Sequence, residues 1–131
     1  MKEPKWLLQE TVVAVHQVLI ADHGGLPGIR DLALLESALS RPRQQVAYGD
    51  DYGLPELAAA YCYGLARNHP FVDGNKRVAL TIAGVFLAMN GFEFDASEAE
   101  AVVMIEQLAS GKIEEADLAA WFADNVIENK S

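Results

Sequence analysis

Cysteine is nearly missing from this chain of 131 residues. Cys62 is the only one, so no internal disulfide can form. A reducing compartment suits that usage, and the expectation is a cytoplasmic protein. Cys62 reads as a small packed apolar residue, since no base lies near it in sequence to make a nucleophilic thiolate. Cations are scarce too. Ten Lys and Arg stand against 19 Asp and Glu, for a formal net charge of −9 and a sequence pI of about 4.6. A surface of that sign repels the phosphates of DNA or RNA, which argues against nucleic acid as the main partner. No apolar run is long enough to span a bilayer; the most apolar, VALTIAGVFLAM (78–89), falls short, so no membrane partner is expected. The stretch MKEPKWLLQE (1–10) carries two acids and lacks the run and cleavage site of a secretory leader. Repeats and low-complexity tracts are absent as well.

What is present is helical pattern. At 131 residues and 51% hydrophobic, the chain has the means for one packed core, so a single domain over 1–131 is expected. Leu8, Val12, Val15 and Leu19 share one helix face, with Gly24 as C-cap and His16 beside Val12 and Val15 as a structural or half-exposed residue rather than a ligand. Asp31 caps a second helix carrying Leu32, Leu35 and Leu39, with Pro42 just past its end. RQQVAYGDDYGLP (43–55) reads as a loop, in which Tyr48, Asp50, Asp51 and Tyr52 either dock a protein substrate or are simply solvated. Pro55 opens a third helix with Leu57, Tyr61, Gly64 and Leu65 inward. The fourth, over 76–89, is apolar nearly all round, as a central buried helix should be. GFEF (91–94) is the best candidate for a strand. A capping box at 97–100 precedes Ala101, Met104, Ile105 and Leu108, and a last helix carries Leu118, Trp121, Phe122 and Val126. The predicted fold is therefore all-α, a bundle of about six helices with at most a short β segment.

The densest polar chemistry, HPFVDGNKR (69–77), lies at the mouth of that central helix. A helix N-terminus offers unpaired N–H groups and the positive end of the peptide dipole, and anions bind there. Gly74 permits close backbone approach, Asn75 can brace the loop or cap the helix, and Lys76 and Arg77 add full positive charge. Asp73 would repel phosphate unless Mg²⁺ stood between them. A neutral His69 can take a proton from an attacking hydroxyl. Taken together these residues suit transfer of part of a nucleotide to a protein hydroxyl; taken singly, each is as readily a turn, cap or solvated patch.

The ordered string HPFVDGNKR resembles the signature of the Fic/Doc family, and HGGLPGIRD (23–31) and RPRQQVAYGD (41–50) resemble its Doc branch. Lys76 stands where most Fic enzymes, which transfer AMP, have glycine. The resemblance implies a toxin of a toxin–antitoxin pair, an ATP-dependent protein kinase that phosphorylates a threonine of elongation factor Tu and stops translation. It implies that His69 activates the hydroxyl, that Asp73 binds Mg²⁺, and that Gly74, Asn75, Lys76, Arg77 and also Arg67 hold the phosphates of ATP. It further implies an antitoxin whose C-terminal segment folds onto the toxin as a helix, since no self-inhibiting helix motif is found. The alternatives are an AMP transferase, against which Lys76 and Leu80 argue (adenylylating relatives often carry a second arginine at the latter position), and a non-catalytic nucleotide- or partner-binding regulator.

Overall fold

Small side chains decide where the centre of this molecule lies. In the computed structural model, which describes residues 3–49 and 52–128, six helices and two short strands are seen among the described residues. They are α1 (Gln9–His23), α2 (Leu32–Ala47), α3 (Leu54–Asn68), α4 (Asn75–Met89), β1 (Phe92–Phe94), α5 (Glu98–Ala109), α6 (Glu115–Asp124) and β2 (Val126–Glu128). The all-α expectation holds. Asp50 and Asp51, read above as substrate-docking candidates, lie outside the described residues.

The predicted central helix shares the centre with a neighbour. α4 is covered by α1, α3, α5 and β1, but α3 is buried over more of its length and packs on α2, α4, α5 and α6. Ala58, Ala59, Ala60, Cys62, Gly64 and Ala66 are the reason: short side chains let several helices approach one axis closely, yet they give only a faint hydropathy signal. Cys62 is fully buried among them, as expected; burial pushes its thiol up, so it stays protonated and inert. A Cβ added at Gly64 would stand 3.1 Å from both the Cα and the Cβ of Ala38 on α2. Gly64→Val is therefore expected to force α2 and α3 apart and to cost about 1–3 kcal/mol, measurable by urea unfolding.

The second helix is longer than the sequence suggests. α2 runs through Pro42 to Ala47, so residues 43–47 of the predicted loop are helical and Pro42 is buried inside the helix. Leu35, Leu39, Pro42 and Val46 continue one apolar stripe at spacings of four, three and four, and burying that stripe offsets the hydrogen bond that proline removes. At the other end of the chain, Val126 is not on the last helix. It opens β2, which pairs antiparallel with β1 in the register Phe92↔Glu128, Glu93↔Ile127 and Phe94↔Val126. Leu8 is the exposed N-cap of α1 rather than part of its buried face.

Several local signals are met as read. Gly24 ends α1 at φ 84°, the Asp31 carboxylate accepts from the Leu34 N–H at 3.0 Å, and Ser97 accepts from the Glu100 N–H at 3.1 Å. The Glu100 carboxylate accepts from Trp121 Nε1 rather than returning to Ser97, so the capping box is half made and its other half ties α5 to α6. No helix among the described residues is long and apolar enough to cross a membrane.

Candidate active site

The polar motif is the α3–α4 connection, and two parts of the chain hold it from outside. α3 ends at His69, whose φ of 49° and ψ of 56° place it in the left-handed region, the one non-glycine residue with positive φ among those described. That turn is fastened by Arg30. Its Nε donates to the His69 carbonyl at 2.7 Å and its Nη2 to the Asn68 carbonyl at 2.9 Å, closing the carbonyl end of α3 with a cation. The backbone N–H groups of Arg30 and Asp31 donate to the Pro70 carbonyl at 2.8 and 3.0 Å. Ile29 forms an antiparallel bridge with Phe71, and the Val72 N–H donates to the Gly28 carbonyl at 3.0 Å. The stretch 28–31 is thus a strap across the motif.

Asn75 does its work from within the loop. Its Oδ1 accepts from the Phe71 N–H at 2.9 Å and its Nδ2 donates to the Phe71 carbonyl at 3.0 Å, so the buried amide grips both backbone groups of one residue. Of the two roles its residue type allowed, the side chain takes the bracing one, and what Asn75 has to offer an anion is its backbone N–H. Gly74, the α4 N-cap, has φ 76°, and a Cβ there would meet the Cδ1 of Ile20 at 3.3 Å. Both backbone angle and space call for glycine. The N–H groups of Asn75, Lys76 and Arg77 open the helix with no intrahelical acceptor.

The carboxylate of Asp73 is exposed and anchored by backbone: Oδ1 accepts from the Gly74 N–H at 2.9 Å and Oδ2 from the Leu26 N–H at 3.3 Å. One backbone N–H on each oxygen leaves lone pairs to spare. Among the described residues no three His, Cys, Asp or Glu side chains gather into a metal cage. A single exposed carboxylate beside an uncapped helix N-terminus fits Mg²⁺, which takes one or two carboxylates together with phosphate oxygens and water.

His69, Asp73, Gly74, Asn75, Lys76 and Arg77 all line one cleft of about 630 Å³ between the α4 mouth and α5. Arg67 does not. Its guanidinium lies over the Tyr63 ring, 5.5 Å from the centroid, and a position two residues before the αL turn at His69 puts it outside the cleft lining. The cations that do line the cleft differ. Arg77 is exposed and makes no hydrogen bond or ion pair through its guanidinium with the described residues, whereas Lys76 Nζ donates to Glu106 on α5 at 3.0 and 3.1 Å. Glu106 therefore competes with any anion for Lys76. Glu106→Gln is expected to tighten binding of inorganic triphosphate about two- to fivefold at low salt, the worth of one exposed ion pair, as titration calorimetry would record.

Sequence reasoning missed Arg30, Glu106 and the reach of His16. Arg30 stood in GIRD beside a helix cap, but only the fold shows which helix end it closes. Glu106 is one of many acids on an acidic chain. His16 is buried under the loop, as a structural residue would be.

A family model described as the Fic/DOC family matches residues 6–87. Two proteins resemble the chain closely. Over 90 residues it is 41% identical to the "Protein kinase doc" of Escherichia phage P1, covering 68% of this chain and 71% of that protein. Over 84 residues it is 46% identical to the "Toxin Doc" of Mycolicibacterium smegmatis, covering 59% of this chain and 63% of that protein, so less than two thirds of the latter's length is matched.

Proposed function

This chain belongs to the Fic/Doc family, and from that premise we propose that it is the toxin of a type II toxin–antitoxin pair, an ATP-dependent kinase acting on a threonine of elongation factor Tu. The observation that carries the reading is the single cleft in which His69, Asp73, Lys76, Arg77 and the open N-terminus of α4 meet. The names of the two relatives, a kinase and a toxin, support it.

In this reading the imidazole of His69 takes the proton of the target hydroxyl. The hydroxyl oxygen attacks the γ-phosphorus of ATP, the bond from that phosphorus to the β–γ bridging oxygen breaks, and ADP leaves. The N–H groups of Asn75, Lys76 and Arg77 and the Arg77 guanidinium face the charge that spreads over the phosphoryl oxygens. Asp73 would hold Mg²⁺, and the bound ion would supply neutralisation of the polyphosphate charge. Lys76 fills the space that a glycine would leave along the loop, which favours a nucleotide lying with its γ-phosphate toward His69. Leu80 also lines the cleft, so no second arginine stands there to favour AMP transfer.

An antitoxin helix would need an apolar groove. One of about 490 Å³ lies against α1, lined by Ala14, Val15, Val18 and Leu19 together with Glu10, Thr11 and Thr81, and its mostly apolar surface supports such a partner. Expression of the chain is expected to arrest growth, and His69→Ala to relieve the arrest; equal arrest by both forms would point to toxicity by binding alone.

A further inference from the structure

Among the described residues, His16 is the one buried titratable side chain that touches the motif and that the proposed chemistry does not use. It sits on α1, is 2% exposed, and is 57 residues away from the loop it meets. Its Nε2 lies 2.8 Å from the Asp73 carbonyl oxygen. A carbonyl only accepts, so Nε2 carries the hydrogen and donates it. The same ring stacks on Phe71, centroids 3.8 Å apart and planes 9° from parallel. It also forms the floor under Gly74, where an added Cβ would lie 3.7 Å from Nε2. One imidazole thus stacks on Phe71, holds the Asp73 carbonyl and lies beneath Gly74.

We propose that His16 is a positioning residue for the metal and phosphate end of the cleft, acting through the backbone of residues 71–74. The Asp73 side chain hangs from a peptide whose carbonyl His16 fixes, and its Oδ1 is tied to the N–H of the next residue. Rotation of the 73–74 peptide would turn the Gly74 N–H away from Oδ1 and release the carboxylate from the hydrogen bond that aims it. Asn75 grips the loop at Phe71 only, and the strap from Gly28 stops at Val72. The hydrogen bond from His16 is the contact that reaches the Asp73 carbonyl itself. Groups that orient a metal ligand are typically worth about 10- to 100-fold in metal affinity.

The proposal rests on the reading of Asp73 as the Mg²⁺ ligand, and the experiment separates the two. A fluorescent ATP analogue is titrated into wild type, His16→Phe, His16→Gln and Asp73→Asn, each with Mg²⁺ and with EDTA, and melting temperatures are recorded. Phenylalanine keeps the stack and loses the donor; glutamine loses the ring and its amide reaches about as far as Nε2. The expected result is a Mg²⁺-dependent gain in wild type that falls by about 10- to 100-fold in His16→Phe, as in Asp73→Asn. Binding in EDTA stays the same and His16→Gln recovers part of the gain. Wild-type gain retained in His16→Phe would overturn the positioning role alone. Equal binding with Mg²⁺ and EDTA in wild type would overturn the metal reading and the positioning role together. A melting temperature lowered by more than about 10 °C in both His16 variants, with equal loss of binding in Mg²⁺ and EDTA, would make His16 a folding residue and overturn the proposal.

Discussion

Replacing His69 with alanine is expected to slow phosphate transfer by about 10²- to 10⁴-fold, an increase of roughly 3–5 kcal/mol in the barrier, with no measurable change in melting temperature. The separation of the two effects follows from where His69 sits. Its side chain is exposed and its ring makes no hydrogen bond with the described residues, so truncation opens no cavity. Its backbone is fixed by other groups: Arg30 holds its carbonyl and the N–H groups of 30 and 31 hold Pro70. Single-turnover kinetics with saturating ATP, beside a thermal melt, reads both quantities. A variant that keeps its rate would remove His69 from the chemistry, and one that melts early would make it a structural cap.

The opposite separation is expected at Asn75. Asn75→Ala leaves the N–H and the carbonyl of Phe71 without their partners in a buried setting, at a cost of about 1–3 kcal/mol for each group left unmet, partly relieved by water. A net loss of about 2–4 kcal/mol is expected, a fall on the order of 10 °C for a domain of this size. Nucleotide binding falls with it, because the loop that carries Asp73 and Gly74 loses its internal brace. Asn75→Asp discriminates further. It keeps an acceptor for the Phe71 N–H but sets a carboxylate oxygen against the Phe71 carbonyl and a negative charge at the mouth of α4, so it should be no more stable than the alanine form and bind phosphate less well. Urea unfolding and nucleotide titration of the three proteins check this. If Asn75→Ala is as stable as wild type and binds nucleotide poorly, the amide is a ligand contact and not a brace.

Chemistry was more legible in this sequence than packing. The motif residues reach one cleft because they are close in the chain and lie on a single helix entry, a geometry that spacing alone fixes. Helix ends were legible where a side chain caps its own helix, as at Asp31 and Ser97. Positions whose role depends on a distant partner were not. Pro42 reads as a stop until the stripe from Leu35 to Val46 is seen to be buried. The centrality of α3 is hidden in alanines and a glycine, whose value is the room they leave. Val126 prefers a strand because Phe94 lies opposite to pair with it, which no local pattern announces. Around the cleft, Arg30, His16 and Glu106 come from elements 38, 57 and 30 residues away from the groups they touch, so their contribution appears only with the fold. Arg67 shows the converse, since closeness to His69 in sequence does not bring it into the cleft.

In the proposed reaction the γ-phosphate of ATP, and not the α-phosphate, is delivered to a protein hydroxyl from beside His69. This is tested most directly by incubating the purified chain with Mg²⁺, elongation factor Tu and ATP labelled in separate reactions at the γ- or the α-phosphate, followed by the intact mass of the target. Label from the γ-position, a mass gain of one phosphoryl group, and loss of both with His69→Ala are the expected result. Label from the α-position with the mass of AMP would contradict it, and would mean that Lys76 does not set the direction in which the nucleotide lies.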